Sequence, residues 1–599
     1  MGLFSFLPRE RYLLVLMVLI SLFYPIHYLT YSLFPAEGQV YSGHSDADSL
    51  VLLTLAKSHE WDFSHPYSAP GEETSTFFVP GLGSPFLYVP IGLFAYYSGI
   101  GYELLFGLLK FIFAFAYLVI SYHIIRTFTP KKIFAIAMLI FLVGFGFGGV
   151  YNILFHDACF APKGMMDVGN PFFGSSRVFN YDTTAATGIV PLLHIDRLYY
   201  TIPFVLGLLS LFLFVRDVQG ERPRRFWLYG ILLGLTFLLN PAWGFPIAII
   251  FAIFVFVNFN RENVFSLIKV GLLSGVFIVP WLLISWKNPS FFLLYQKNTA
   301  PAYFIAVISS LGVHFFLILY ALLSKVFRKK IVFVAVSLLV LFIEVFSVMT
   351  VKNTAQSFIM NQLLWLVISF CLSTSLIAYV IIKKKHTLFT KNRTYLFLLI
   401  WFGVMCALSV LPDIFWNSSR FVNFIWLPLS ILSAQGIYLL ASRFRRSRLA
   451  LRVIVVCVIL IGLPSFFFLN VNMQNVRGEG GVTYVEQSDL DGLEFLSGQE
   501  RGTVYASDKM SRFLPVESAK AAILGSHMVV LDKASKVDEY ELFMSGNMAS
   551  EAMAEIPDKY ALSYVFKSAE EEYDTGFLES DPGFTSIFRK GKTEIYRVD

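Results

Sequence analysis

The chain has 599 residues, 56% of them hydrophobic, with 63 Phe, 47 Lys and Arg, 41 Asp and Glu, and a net charge of +6. An apolar share above the roughly 45–50% of globular domains excludes an ordinary water-soluble protein, and four scattered cysteines exclude a disulfide framework and a spaced thiolate metal cluster. The charge is divided: Val471 to Asp599 holds 13 basic and 23 acidic residues, a net of −10, which leaves +16 for Met1 to Asn470.

A helix rising about 1.5 Å per residue needs roughly 20 apolar residues to cross a hydrocarbon core of about 30 Å. Apolar runs predict spans near 11–34, 102–125, 132–153, 196–215, 226–240, 242–258, 264–286, 302–324, 331–350, 363–382, 394–411, 421–441 and 449–470, about 13 transmembrane helices. The first is too long for a removable signal peptide and lacks a small-residue cleavage site, so it is expected to stay as an anchor. It is followed by a long loop, 35–81, that opens with "YSGHSDADSL" and runs into the amphipathic stretch "ADSLVLLTLAKSHEW". The Pro- and Gly-rich run Leu82 to Ser98 reads as a re-entrant or interfacial segment that does not cross on its own. A second long loop occupies 154–195. Farther on, "LLNPAWGF" breaks an apolar run at Asn240-Pro241, where a proline ring removes a helix hydrogen bond, and predicts a hairpin.

Lys and Arg near span ends stay on the cytoplasmic side. The basic clusters from Arg9/Arg11 to Arg443/Arg445/Arg446/Arg448 all fall on one face if the N-terminus is inside. This use of the basic runs leaves nothing that points to nucleic acid. An odd number of spans then puts the two long loops and the C-terminal segment outside. The expected organisation is a membrane part over 1–470 and an extracytoplasmic α/β domain over 471–599, with the protein multi-pass in the cell membrane. In that domain "LDGLEFLSGQERGTVYASD" predicts a helix, a turn at Gly502 and a strand. "HMVVLD" and "LSYVFK" predict further strands, "FTSIFRKGKTEIYRV" a hairpin turning at Lys590-Gly591-Lys592, and "DEYELFMSGNMASEAMAEI" helical structure between them.

Two carboxylates, Asp46 and Asp48, stand beside the outer end of the first span. Ser45 or Asp46 as an N-cap and Asp48 as complement to a helix dipole account for one of them. The pair is less well explained in this way, and the same loop adds His59, Glu60, Asp62 and His65. Ionisable groups crowded at a membrane boundary point to catalysis or ligand binding. The second loop holds His156, Asp157, Asp167, Asp182 and Asp196, and loops of this length are commonly functional. No His/Asp spacing there forms a recognisable metal site. Asn417-Ser418-Ser419 fits a glycosylation acceptor pattern.

"YSGHSDADSLVLLTLAKSHEWDFSHPYS", followed by "FFVPGLGSPFLYVPIGLF", resembles the first external loop of the GT-C superfamily, the membrane-embedded glycosyltransferases that use polyprenyl-phosphate-linked sugars. "NSSRFVNFIWLPLSILSAQGIYLL" is similar to a late span of that group, and "SIFRKGKTEIYRV" to the hairpin that closes many of its members. The resemblance implies a GT-C-like membrane domain in which Asp46 and Asp48 supply a general base for the acceptor hydroxyl or, as in the oligosaccharyltransferase branch, ligands for a divalent metal. The tail lacks a "WWDYG"-like motif, which favours transfer of a single sugar over transfer of a whole glycan to Asn.

Displacing a lipid phosphate from an anomeric carbon takes a base and cations that hold the departing phosphate. Arg420, Arg197, Lys352 and Arg177, at external ends of spans, are candidates for that second task, and each also reads as a snorkelling interfacial anchor. His65, Asp62, Asp157 and His156 are candidates for the acceptor side, or plain loop residues. The expected partners are a polyprenyl-phosphate-linked sugar, a lipid, glycan or protein acceptor, and membrane lipids. Two other functions fit a polytopic chain with an external domain. A transporter or flippase of a lipid-linked substrate would show paired mid-bilayer charges and inverted repeats, of which Glu344 is a lone trace. A non-catalytic membrane scaffold would tolerate replacement of both carboxylates.

Overall fold

A computed structural model describes residues 11–27, 38–42, 50, 53–54, 56–57, 84–144, 167–170, 174–177, 198–219, 225–257, 261–287, 311, 313–326, 393–410, 422–478, 482, 484–525, 530 and 533–599. Contacts divide the chain into two compact units. One comprises Met1–Met17, Phe113–His194 and Thr201–Val476, and the other Val18–Ile112, Ile195–Tyr200 and Arg477–Asp599.

The apolar helices are α1 (Arg11–His27), α2 (Ser84–Ser98), α3 (Tyr102–Phe128), α4 (Lys131–Val143), α5 (Leu198–Gln219), α6 (Phe226–Leu239), α7 (Pro241–Val257), α8 (Arg261–Lys287), α9 (Val313–Val326), α10 (Arg393–Val410), α11 (Val422–Ala441) and α12 (Ser447–Gly478). Among the described residues four of them, α3, α5, α11 and α12, are long and apolar enough to cross a bilayer. Apart from α2, each helix coincides with a predicted span, while the predicted spans 331–350 and 363–382 lie outside the described residues. Helix α2, with 15 residues, extends about 22 Å and is too short to cross a core of about 30 Å. Its start has a local cause, since Pro85 stands in the first turn, where no amide hydrogen is needed.

The predicted break at Asn240-Pro241 is a tight junction between two helices. Asn240 is extended (φ −158°, ψ 97°) and ends α6, with its amide donating to Thr236 O at 2.8 Å. Pro241 opens α7, and the Trp243 amide returns to Asn240 O at 3.0 Å. Polar side chains find partners on the neighbouring helix where helices cross: Ser274 Oγ of α8 donates to the backbone carbonyl Gly230 O of α6 at 2.9 Å, and His314 Nδ1 of α9 lies 2.8 Å from Ser433 Oγ of α11. Such residues let helices approach closely in an environment with no water to serve them.

The second unit contains an α/β body. Its elements are β4 (Tyr484–Glu486), α13 (Gln487–Ser497), β5 (Thr503–Ala506), α14 (Asp508–Ser511), a π-helical turn (Leu514–Ser518), β6 (Ala521–Ala522), α15 (Lys533–Met544), α16 (Ser550–Tyr560), β7 (Leu562–Lys567), α17 (Gly576–Ser580), β8 (Phe584–Lys590) and β9 (Thr593–Val598). The sheet order is β6-β5-β7-β9-β8, with β5 parallel to both β6 and β7, and β9 antiparallel to β7 and β8. Alternation sends Val504, Ala506, Tyr564, Phe566 and Ile595 into one core, shared with Leu493 and Leu496 of α13. Tyr505, Val565 and Tyr596 enter the other, shared with Phe543, Met544 and Ile556 of α15 and α16. This period of two is that of a sheet covered on both faces.

The predicted strands at 503–506 and 562–567 and the closing hairpin are all present. Gly591 takes φ +59° in the two-residue loop between Lys590 and Thr593, the left-handed backbone that such a tight reversal requires. The predicted strand over "HMVVLD" is not found at Val530, and its remaining residues lie outside the described ones. The parallel edge strand is instead the two-residue Ala521–Ala522, which is too short to leave an alternating pattern in the sequence.

A buried acid holds α13 on the sheet. Asp489, 1% exposed, accepts from Thr593 Oγ1 at 2.7 Å and from the Ala569 amide at 2.9 Å. Burial pushes its carboxyl above the ordinary value despite these donors, and burial likewise raises Glu571, which accepts from the Ser568 amide and Tyr540 Oη, each at 2.7 Å. A folded-state value above the unfolded one means that the folded protein binds more protons between the two. Stability from these groups is therefore present at acid pH and lost as pH rises through the raised folded values. Asp489→Asn keeps an acceptor for Thr593 and Ala569, and it is expected to flatten that part of the pH dependence. Thermal melting of the two proteins from about pH 4, the ordinary carboxylate value, to pH 8 checks this, with a larger gain for Asp489→Asn at the upper end.

Candidate active site

The acidic motif is framed by residues of the second unit. Upstream, Gln39–Tyr41 forms strand β1, which pairs antiparallel with β4 in the register Gln39↔Glu486, Val40↔Val485 and Tyr41↔Tyr484. Ser42 Oγ then donates to Val482 O. Downstream, Leu50, Leu53, Thr54, Ala56 and Lys57 are helical. Leu50 is 0% exposed and belongs to the same core as Val482, Val485 and Phe566, and Val40 and Leu53 pack against it. Thr54 Oγ1 donates to Leu50 O at 3.0 Å. The Lys57 ammonium donates to Val516 O in the π-helical turn at 3.0 Å and lies 5.6 Å from the centre of the Tyr102 ring. Asp46 and Asp48 fall between these anchors, outside the described residues.

The other side of the 50–57 helical segment meets α2. A Cβ on Gly92 would stand 1.8 Å from Ala56 O, so the two backbones touch. Tyr88, Gly92 and Ala95 form the buried stripe of α2, and the Tyr88 ring stacks on Phe106 of α3 with centroids 5.7 Å apart. The opposite stripe of Phe86, Leu93, Phe94 and Tyr97 is exposed, Tyr97 by 82%. Leu104, Leu108 and Ile112 of α3 are also exposed. The segment that follows the acidic motif thus has the α/β core on one side and, through α2, a helix with an exposed apolar stripe on the other.

In the first unit aromatic rings from three helices meet. Phe204 of α5, Trp243 of α7 and Phe424 of α11 form a ring cluster with centroid separations of 5.2, 4.3 and 4.9 Å. Arg197 immediately precedes α5 and Arg420 shortly precedes α11; both lie outside the described residues. Arg177 ends strand β3 (Gly174–Arg177), which pairs with β2 (Asp167–Asn170) so that Arg177 is opposite Asp167. Lys352, His65, Asp62, Asp157 and His156 lie outside the described residues.

Among the described residues no three His, Cys, Asp or Glu side chains converge to hold a metal ion. The sequence reading missed Val40, Ser42, Leu50 and Lys57, which tie the first loop to the C-terminal body. Val40 and Ser42 have as their sequence signal the short alternation "QVYS", too brief to distinguish a strand from any other loop, and the amphipathic stretch that holds Leu50 and Lys57 does not say which body it packs on.

No protein-family model and no curated protein sequence matches the chain. It is similar to solved structures of the oligosaccharyltransferase of Archaeoglobus fulgidus. The apo form shares 15% identity at a TM-score of 0.48, covering 94% of this chain and 70% of that one. A complex with Zn and sulfate shares 15% at 0.49, covering 98% and 73%. A complex with an inhibitory peptide and a dolichol-phosphate shares 14% at 0.47, covering 99% and 74%. At this identity and these TM-scores the likeness carries no activity over to the chain.

Proposed function

We propose that the protein is a membrane-embedded glycosyltransferase that moves a single sugar from a polyprenyl-phosphate donor to a lipid, glycan or protein acceptor at the outer membrane face. The observation that carries this reading is the placement of the 50–57 segment, which runs on from the acidic motif. It is clamped between a soluble α/β core at Leu50 and a helix at Ala56 whose far side is apolar and exposed. Such a junction suits a reaction whose donor is held in lipid and whose acceptor comes from water.

In this reading one carboxylate of the pair Asp46 and Asp48 takes the proton of the acceptor hydroxyl as its oxygen attacks the anomeric carbon. The bond from that carbon to the phosphate oxygen breaks, and its electron pair leaves with the phosphate, inverting the centre. Arg197 and Arg420 stabilise the charge that develops on the departing phosphate. Lys352 and Arg177 are further candidates for the same task. A divalent cation, where the reaction uses one, would be held by Asp46 and Asp48 and would polarise the leaving phosphate.

The test is sugar transfer from a panel of radiolabelled polyprenyl-phosphate sugars by purified wild type, Asp46→Asn and Asp48→Asn, with folding checked by thermal melting. Removing a general base is expected to lower the rate by about 10²–10⁴-fold in at least one well-folded variant. Undiminished transfer in both would place the chemistry elsewhere.

A further inference from the structure

We infer that the C-terminal unit is a positioning device for the acidic motif, working through Ser42 and Leu50 as positioning residues; the inference rests on the transferase reading above. The motif occupies residues 43–49, and the structure secures the chain at both ends of that interval to one body. At the entrance β1 is paired over three residues with β4, and Ser42 is bonded to Val482 O. At the exit Leu50 is sealed in the core and Lys57 is tied to Val516 O. Asp46 is four residues from either anchor, a chain length that spans at most about 14 Å.

A ladder of three residue pairs does not sustain itself. This one persists because Val485 is fully buried, Val40 packs on the same core, and β4 continues directly into α13, which Asp489 locks onto β9. The connection therefore runs from the catalytic motif through two strands into the five-stranded sheet. Misplacing a reacting group by about 1 Å costs about a hundredfold in rate, so an anchored loop has a direct kinetic use. The C-terminal body is more than a cover: it holds both ends of the interval that carries the two carboxylates.

The experiment uses the full-length protein in lipid nanodiscs and compares wild type, Ser42→Ala, Ser42→Thr and Ser42→Ala combined with Gln39→Cys and Glu486→Cys. Gln39 and Glu486 are directly opposite, and antiparallel partners about 4.5–5.5 Å apart at Cα are within disulfide reach. Ser42→Ala is expected to raise hydrogen exchange across 43–49 and to lower kcat about tenfold or more while donor KM and the melting temperature stay unchanged. Ser42→Thr, which keeps the hydroxyl, should hold both near wild type. Oxidising the cysteine pair should restore kcat in the Ser42→Ala background, and reduction should abolish that recovery. The inference is overturned if exchange over 43–49 does not respond to Ser42→Ala, or if it rises with kcat intact. Absence of transfer by wild type from every donor would overturn the transferase reading alone, and the exchange comparison would still decide whether Ser42 holds the loop.

Discussion

Gly92→Val is expected to separate α2 from the helical segment behind the acidic motif and to abolish transfer, with a marked loss of thermal stability. The cause is geometric. A Cβ at position 92 would stand 1.8 Å from Ala56 O and 2.6 Å from Ala56 C, distances that no pair of non-bonded atoms tolerates. Both are backbone atoms, so no side-chain rotation relieves the clash; one helix must move. Overpacking a core costs typically about 1–3 kcal/mol, and a β-branched residue against a fixed backbone belongs at or above the upper end. Gly92→Ala should show the same effect in weaker form. Thermal melting and sugar transfer by the three proteins check this, and a Gly92→Val protein with wild-type melting and transfer would show that the contact carries no load.

The membrane helices were legible in the sequence because their signal is a long, local excess of apolar residues, and α3, α5, α11 and α12 begin within a few residues of the predicted starts. The Asn240-Pro241 hairpin was legible for a different reason, since proline cannot donate within a continuing helix. The sheet at β7 and the β8–β9 hairpin followed from period-two alternation and a glycine turn. The pairing of β1 with β4 was not legible. It joins Gln39 to Glu486 across some 450 residues of chain, and three-residue strands contain too few positions for a period to show. For the same reason no local pattern shows that one of the two cores of the C-terminal segment takes Leu50, Val40 and Leu53 from the first loop. Of the candidate site, residue types and their side of the membrane could be argued from charge and hydropathy; which body holds the acidic motif could not, because that depends on contacts between distant segments.

Those shared contacts make Leu50→Ala the sharpest test of how the unit is built. Leu50 is 0% exposed and touches a core whose other members, from Val482 to Ile595, come almost entirely from the far end of the chain. Truncating a buried leucine to alanine costs about 2–5 kcal/mol through lost burial and the cavity left behind, a large share of the roughly 5–15 kcal/mol that holds a domain together. The expected result is therefore a drop in stability that registers in the sheet: faster hydrogen exchange at Val504 in β5 and Phe566 in β7, measured in the full-length protein. Leu542 on α15 supplies the control, because it is 49% exposed and its replacement by alanine should change little, within about 0.5 kcal/mol. Were the C-terminal segment an autonomous domain, exchange in β5 and β7 would be the same in Leu50→Ala as in wild type. A loss of protection there would instead show that the loop bearing the acidic motif and the C-terminal sheet fold as one body, so that substitutions deep in the sheet can reach the proposed chemistry without touching a substrate.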